Sequence, residues 1–341
     1  MNSYQRYLVE EFAEEYQEGR MSRREALRLI ASVLGGLALA QTFLAGCTPA
    51  PAATPDATTT STPLPEPTHT RAADPTAAPA STASPTHLAE ATTAAPATPT
   101  AAVSGPVSPD DPAVIAGDLQ FPGEGASLAG YLARPSAGGP APVILVCHEN
   151  RGLTDHIRDV TRRLAKSGYV ALAVDLLSRL GGTAAVGNAN VPGALGNTAA
   201  EQFTQDFRSG WLYLGTLDYA RAEQVGMVGF CFGGGVTWQA ATQLPELKAA
   251  VPFYGPHPDV SAVPAIQAAV LAIYAERDQR INQGIPAIEA AMQANGKIFE
   301  KVIYPDADHA FHNDTSARYN AAAAQAAWAR TLDWFGRYVA A

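Results

Sequence analysis

The sequence predicts an α/β fold over residues 110–341, with a mostly parallel central sheet in a three-layer α/β sandwich. Two observations predict it. Apolar runs of strand length show no polar alternation, which is typical of strands covered on both faces. These runs alternate with stretches whose apolar residues recur at helical spacing, and this order favours parallel strands joined by helices. The chain is 47% hydrophobic, which is enough for a sizeable core.

The predicted elements begin with a hairpin over 114–121 and 126–134. The apolar run APVILVCHE is the next strand, and the helix DHIRDVTRRLAKSG after it places Ile157, Val160 and Leu164 on one face. The remaining predicted strands are YVALAVDLL, QVGMVGF, LKAAVPFYG, AVLAIYAERD and KIFEKVIYP, and the remaining predicted helices cover about 203–219, 233–244, 285–296 and 317–338. In sheets of this kind the chemistry lies at the carboxyl ends of the strands.

Residues 1–47 are predicted to be an export signal that ends in a lipidation site. Arg23 and Arg24 resemble a twin-arginine motif, the run 29–45 is moderately apolar, and Leu-Ala-Gly before Cys47 resembles a bacterial lipobox. We therefore expect an exported lipoprotein, anchored on the extracytoplasmic face of the membrane through Cys47. An N-terminal membrane helix is the alternative, because the apolar run is near the lower length limit for spanning. The acidic stretch before the arginines is long for such a signal.

Composition limits what the rest of the chain can do. Residues 48–109 are almost entirely Ala, Thr, Pro and Ser, which predicts a disordered linker. A formal charge of −9 and a pI near 5.3 argue against a nucleic-acid partner.

With Cys47 lipidated, Cys147 and Cys231 are too few for a disulfide framework. No complete dinucleotide or P-loop motif occurs, so we expect no cofactor, and we expect a monomer.

The stretch VGMVGFCFGGG carries the candidate nucleophile. Gly229 and Gly233 frame Cys231 in the pattern G-x-S-x-G, with Cys in place of Ser, where a strand runs into a helix. The helix N-terminus favours a thiolate there. An inert buried cysteine in a packed turn is the alternative, but downstream order favours catalysis, because Asp278 and His309 each follow a later strand. Nucleophile, acid and histidine in this chain order are typical of an α/β-hydrolase.

These motifs resemble those of the dienelactone hydrolase family, whose members are α/β-hydrolases with a cysteine nucleophile. The resemblance covers about 114–338, and HENRGL, DLLSR, GFCFGG, AERD and DADHAF match the family's motif positions in order. It implies that Glu149, just after the third strand, helps to take the thiol proton when substrate enters. The alternative for Glu149 is a structural carboxylate paired with a cation such as Arg151.

The other candidate site residues lie around this set. His309, oriented by Asp278, would act as general base and acid. The backbone N–H groups of Phe232 and Asn150 would form the oxyanion hole.

Substrate recognition depends on three further positions. The resemblance implies that Arg179 binds a substrate carboxylate, with a surface arginine as an equal alternative. Asn313 stands where the family has a second arginine, and Tyr254 lines the pocket or packs in the core. A metal set of Asp306, Asp308, His309 and His312 is discounted, because the triad already accounts for the histidine.

The sequence therefore predicts a carboxylic ester hydrolase resembling carboxymethylenebutenolidase, acting on small activated esters or enol lactones through an acyl-cysteine. A broad hydrolase of small esters or thioesters is one alternative. A non-catalytic envelope lipoprotein on the same scaffold is another, although the retained triad argues against it.

Overall fold

The computed structural model describes residues 1–46 and 105–341, so Cys47 and positions 48–104 of the predicted linker lie outside the described residues. The strands are β1 Val114–Gly123, β2 Ala126–Pro135, β3 Ala141–Cys147, β4 Val170–Val174, β5 Ala220–Phe230, β6 Ala249–Phe253, β7 Ala269–Ala275 and β8 Phe299–Tyr304. The helices are α1 Ser3–Gln17, α2 Arg23–Leu34, α3 Leu37–Ala45, α4 Asp155–Lys166, α5 Thr183–Val186, α6 Val191–Gly196, α7 Ala200–Leu214, α8 Phe232–Gln243, α9 Gln279–Asn282, α10 Ile285–Ala294 and α11 Ala321–Tyr338. Two short 3-10 helices cover Ser178–Leu180 and Val260–Ala265.

The eight strands form one sheet in the order β1-β2-β4-β3-β5-β6-β7-β8. The hairpin β1–β2 and the pair β2–β4 are antiparallel, and the pairs from β4 through β3 to β8 are parallel. Every residue of the central strands β3, β4, β6 and β7 is buried. The structure confirms the predicted α/β-hydrolase sandwich with a mostly parallel sheet.

Helices cover both faces of β5. A Cβ added to Gly226 would lie 3.0 Å from the ring of Phe335 in α11. A Cβ added to Gly229 would lie 2.4 Å from the hydroxyl of Thr237 in α8. Because residues three apart in a strand point to opposite faces, α11 and α8 lie on opposite sides of the sheet.

Three predicted boundaries differ from the structure by four residues or more. Helix α7 ends at Leu214 rather than near 219, and β5 begins four residues earlier than predicted, because its first residues pair with the start of β3 across a register shift. Helix α11 begins at 321 rather than 317, where the side chain of Asn320 caps it by accepting from the backbone N–H of Ala323. Helices α5, α6 and α9 of the hydrolase domain were not predicted.

The N-terminal segment folds as three helices. The apolar run 29–45 is divided between α2 and α3, because Gly35 adopts a left-handed conformation (φ 75°) and ends α2. Helices α1 and α2 contact α6, and α1 also contacts α8, so this segment belongs to the same compact unit as the sheet. No helix within 1–46 or 105–341 combines the length and the apolar character needed to cross a bilayer.

Candidate active site

Cys231 lies in a tight turn between β5 and α8. Its backbone has φ 58° and ψ −121°, a conformation that a residue with a side chain rarely adopts. Its N–H donates to the carbonyl of Phe253 on the neighbouring strand (3.1 Å). A Cβ at Gly229 would lie 2.2 Å from the carbonyl oxygen of Gly233, and one at Gly233 would lie 2.4 Å from that of His148. The two glycines are therefore required by close backbone contacts, as the motif predicts.

Asp278 and His309 reach the same edge of the sheet. Asp278 follows β7, and His309 lies in the loop between β8 and α11. The Oδ2 of Asp278 lies 2.5 Å from the Nδ1 of His309, and both side chains are buried. Burial works to raise the pKa of the Asp278 carboxyl, but the charge and hydrogen bond of His309 outweigh it and hold that pKa below its usual value.

The thiol and the imidazole meet at this edge. The Sγ of Cys231, a ring nitrogen of His309 and a carboxylate oxygen of Glu11 all lie within 4.8 Å of one another. The structure thus brings Cys231, Asp278 and His309 together from three distant parts of the chain.

Glu11 of α1 is a site residue that the sequence did not predict. Its Oε1 accepts a hydrogen bond from the Nδ2 of Asn150 (3.0 Å) and lies 3.5 Å from the Sγ of Cys231. The same oxygen lies 3.8 Å from the Nε2 of His309. Burial works to raise the pKa of Glu11, but the positive charges of His309 and Arg280 outweigh it and lower that pKa. Glu11 is therefore an anion held against the candidate nucleophile.

Tyr7 is the second unpredicted neighbour of the thiol. Its Oη lies 3.2 Å from the Sγ of Cys231 and 3.5 Å from the Nε2 of His309. Glu11 and Tyr7 were not predicted as site residues because the first residues were interpreted as part of an export signal. The four-residue spacing of Tyr4, Leu8 and Phe12 is the signal that could have indicated a helix with one buried face.

The thiol of Cys231 is held in its neutral form. Burial raises its pKa well above the usual value, and the carboxylates of Glu11 and Glu149 raise it further. Hydrogen bonds from Tyr7 and from the backbone N–H of Phe232 oppose this shift without cancelling it. The thiolate that the helix N-terminus favours is thus disfavoured in this arrangement, first by burial and then by the two carboxylates.

A small cavity of about 180 Å³ adjoins the thiol. It is lined by Glu11, Glu15, Glu149, Asn150, Arg151, Cys231, Ala310, Asn313, Thr315, Ser316 and Arg318. Charged and amide side chains therefore dominate the wall beside Cys231.

Comparison with known proteins agrees with this geometry. Residues 128–339 match the model of the dienelactone hydrolase family. A protein of Methylorubrum extorquens, provisionally named a carboxymethylenebutenolidase, is 36% identical over 67% of this chain and 83% of its own. An Escherichia coli protein with the same provisional name is 36% identical over 67% of this chain and 89% of its own.

The chain belongs to the dienelactone hydrolase family. A solved structure from Klebsiella pneumoniae, provisionally named a dienelactone hydrolase, is also similar, with a TM-score of 0.63 and 33% identity over 66% of this chain and all of that one. The protein is accordingly a hydrolase with the α/β-hydrolase fold.

The remaining predicted site residues divide into those beside the thiol and those elsewhere. Glu149 lines the cavity and accepts a hydrogen bond from the Nδ2 of Asn313 (2.6 Å), the residue that stands in for the family's second arginine. This hydrogen-bond partner is an amide and not a cation, and the role of Glu149 in taking the thiol proton stays a prediction. Asn150 also lines the cavity, and its side chain binds Glu11. The oxyanion role of its backbone N–H stays a prediction.

Two predicted substrate residues are not on the cavity wall. The guanidinium of Arg179 donates hydrogen bonds to the carboxylate of Asp206 (2.8 Å) and the carbonyl of Glu124 (2.9 Å), and its role toward a substrate carboxylate stays a prediction. Tyr254 is completely buried, and its ring lies 5.1 Å from that of His309. It packs beside the histidine and does not line this cavity, and its role toward substrate stays a prediction.

The discounted metal set is not assembled. Asp306 is exposed and paired with Arg277, and the ring of His312 stacks on Phe230 inside the core. Among the described residues, the side chains grouped closely enough to hold a metal ion are those of Glu11, Cys231 and His309.

Replacing Glu11 tests the electrostatic coupling to Cys231. The Glu11→Gln substitution removes a negative charge that raises the pKa of the thiol, so we expect that pKa to fall. The rate at which iodoacetamide modifies Cys231, followed peptide by peptide with mass spectrometry, should reach its half-maximum at a lower pH than in the unaltered chain. Glu10→Gln is the control, because Glu10 is exposed on the same helix. Coincident pH profiles for both variants would contradict the coupling.

Proposed function

We propose that this hydrolase cleaves activated carboxylic esters, including enol lactones, through an acyl intermediate on Cys231. The observation that supports it most is the buried cluster in which Cys231 lies beside His309, whose far nitrogen is bound by Asp278. The provisional names of the relatives point to the same substrate class.

The proposed reaction uses the side chains of Cys231, His309 and Asp278 and the backbone N–H groups of Phe232 and Asn150. His309 takes the proton from the Sγ of Cys231, and the thiolate attacks the carbonyl carbon of the ester. The oxygen that becomes negative accepts hydrogen bonds from the N–H groups of Phe232 and Asn150. The carbon–oxygen bond then breaks, His309 returns the proton to the leaving oxygen, and a thioester remains on Cys231.

Water completes the cycle. His309 removes a proton from a water molecule that attacks the thioester carbonyl, and the carbon–sulfur bond breaks to release the carboxylic acid. The departing thiolate regains the proton from His309. Asp278 holds the ring in the orientation that each transfer needs, and it stabilises the charged imidazolium.

A sulfur nucleophile restricts the substrate. A thiolate, whose conjugate acid has a pKa of about 8.5, leaves a tetrahedral intermediate more readily than an ordinary alkoxide does. An unactivated ester would mostly return to reactant. An enol ester expels a stabilised enolate, so its intermediate can go forward.

A broader specificity for small carboxylic esters or thioesters is the second candidate. Two observations favour it: Arg179 is engaged by Asp206, and Asn313 occupies the place of the family's second arginine. Both reduce the positive charge available to a lactone that carries a carboxylate.

Hydrolysis assays separate these proposals. We expect the Cys231→Ala chain to lose hydrolysis of p-nitrophenyl acetate and enol lactones, by roughly 10²-fold or more, because it lacks the nucleophile. Initial rates of release of the leaving group provide the measurement. Measurable turnover at equal rates in the two chains would remove Cys231 from the mechanism, and turnover of the simple ester without the lactones would select the broad hydrolase.

We also propose that the protein is exported and anchored through a lipid on Cys47. The order Leu44-Ala45-Gly46-Cys47 supports it, and Ala45 and Gly46 are exposed at the end of α3.

Metabolic labelling tests the anchor. An alkyne-bearing fatty acid should label the protein in bacterial membranes, and Cys47→Ser should abolish the label, because the thiol that receives the lipid is gone. Cys147→Ser is the control, since that thiol is buried in β3. Labelling that persists in Cys47→Ser would contradict the proposal.

A further inference from the structure

Helix α1 is seated in a groove of the hydrolase domain through one apolar face. The ring of Tyr4 lies 5.0 Å from that of Phe232 and 5.5 Å from that of Phe203, and its hydroxyl donates to the Oε1 of Gln239 (2.6 Å). Leu8 and other side chains of the same face are fully buried. Phe232 directly follows the candidate nucleophile, so this contact places α1 over the catalytic turn.

The acidic side chains of α1 that face the groove meet cations. An oxygen of Glu14 lies 3.0 Å from the Nε of Arg280, and one of Glu15 lies 3.0 Å from a guanidinium nitrogen of Arg318. Both arginines are largely buried, with 10% and 18% of their side chains exposed. Buried cations without partners are costly, so the groove is matched in charge to this helix.

The position of α1 leaves no room for a substrate at the thiol. Tyr7 and Glu11 both lie within 3.7 Å of the Sγ of Cys231, where the carbonyl carbon of an ester must approach to about 3–3.5 Å before attack. Only 3% of Cys231 is exposed. The remaining cavity of about 180 Å³ is smaller than ligand pockets, which hold roughly 300–1,000 Å³.

We propose that the groove above Cys231 is a binding site for the chain's own N-terminal helix, which acts as a displaceable plug of the acyl site. With α1 docked, Glu11 and Tyr7 occupy the position of the reacting carbonyl, and turnover requires α1 to leave. This inference rests on the proposed function, because the site that α1 closes is the proposed acyl site.

Two further observations support the plug. The family match begins at residue 128, so α1 lies outside the region shared with the family. The proposed lipidation site at Cys47 also lies between α1 and the hydrolase domain. Processing in front of Cys47 would therefore cut the covalent connection of the plug, leaving its noncovalent contacts to hold it.

Substitution of one glycine outside the catalytic cluster should disturb the docking of α1 without changing α1 itself. Gly193 in α6 has no room for a side chain, because a Cβ there would lie 2.6 Å from the backbone oxygen of Ser32 in α2. The Gly193→Ala substitution should push α2 away, and α1 with it. Gly336→Ala is the matched control, because Gly336 is in a helix and a Cβ there meets nothing within 4 Å.

A second pair of variants changes α1 itself. Leu8→Arg places a charge on the buried face of the helix, and Glu10→Arg places the same side chain on its exposed face.

The experiment measures the rate at which iodoacetamide modifies Cys231 in the full chain, relative to its rate at Cys147. Cys147 is fully buried in the core, so the ratio separates undocking of α1 from general unfolding. We expect Gly193→Ala and Leu8→Arg to raise the ratio by about tenfold, the factor given by a loss of about 1.4 kcal/mol in docking free energy. Ester turnover should also rise in Gly193→Ala and Leu8→Arg. Both the ratio and the turnover should stay unchanged in the controls Gly336→Ala and Glu10→Arg.

The possible outcomes are distinct. An unchanged ratio in both groove variants would overturn the plug, as would a raised ratio accompanied by lost turnover, which would make α1 part of the working site. Adding Cys231→Ala to Gly193→Ala isolates the proposed function: turnover that survives there refutes the acyl-cysteine, while the alkylation ratio of the single variant still reports on the plug.

Discussion

The turn at Cys231 is the constraint on which the rest of the site depends. A non-glycine residue with φ 58° and ψ −121° carries strain on the order of 1–3 kcal/mol. The surrounding backbone maintains it: the Cys231 N–H binds β6, and the N–H of Gly234 binds the Cys231 carbonyl (2.9 Å) to begin α8. Because the turn is sharp, the thiol leaves the sheet at the edge where Asp278 and His309 also arrive. If the turn relaxed to an unstrained conformation, the sulfur of Cys231 would move away from the imidazole of His309.

The same position determines the electrostatics. Burial and two carboxylates keep the thiol of Cys231 protonated. A protonated thiol is a poor nucleophile, and it is also less reactive toward oxidants than a thiolate is. Glu11 contributes to this only while α1 is docked. In the proposed account the N-terminal helix therefore blocks the approach of substrate and also suppresses the thiolate, so that a single displacement relieves both effects.

The sequence predicted the features that local patterns encode. The central strands were predictable because they are continuous apolar runs, and the order of Cys231, Asp278 and His309 was informative because each follows a strand at the same edge of the sheet. Helices α5 and α6 were missed, since the Gly-, Ala- and Asn-rich stretch between β4 and α7 has no helical periodicity.

Contacts between residues far apart in the sequence could not be predicted from local sequence patterns. Arg179 is held by Asp206, which is 27 residues away, and no motif encodes that ion pair. Glu11 meets Cys231 across 220 positions, and its approach to the thiol depends on the docking of a whole helix. The features that led to an export-signal prediction for 1–47 are compatible with a folded segment, because the arginine pair begins α2 and the apolar run is divided between α2 and α3.

Trapping the acyl intermediate tests the central claim most directly. The full chain and its Gly193→Ala variant would be incubated with p-nitrophenyl trimethylacetate, whose crowded acyl group resists attack by water, then quenched in acid and digested. The account predicts one trimethylacetyl group on the peptide that contains Cys231, formed faster in Gly193→Ala than in the full chain, where α1 closes the site. Release of p-nitrophenol without that adduct, or with the acyl group on another residue, would contradict it.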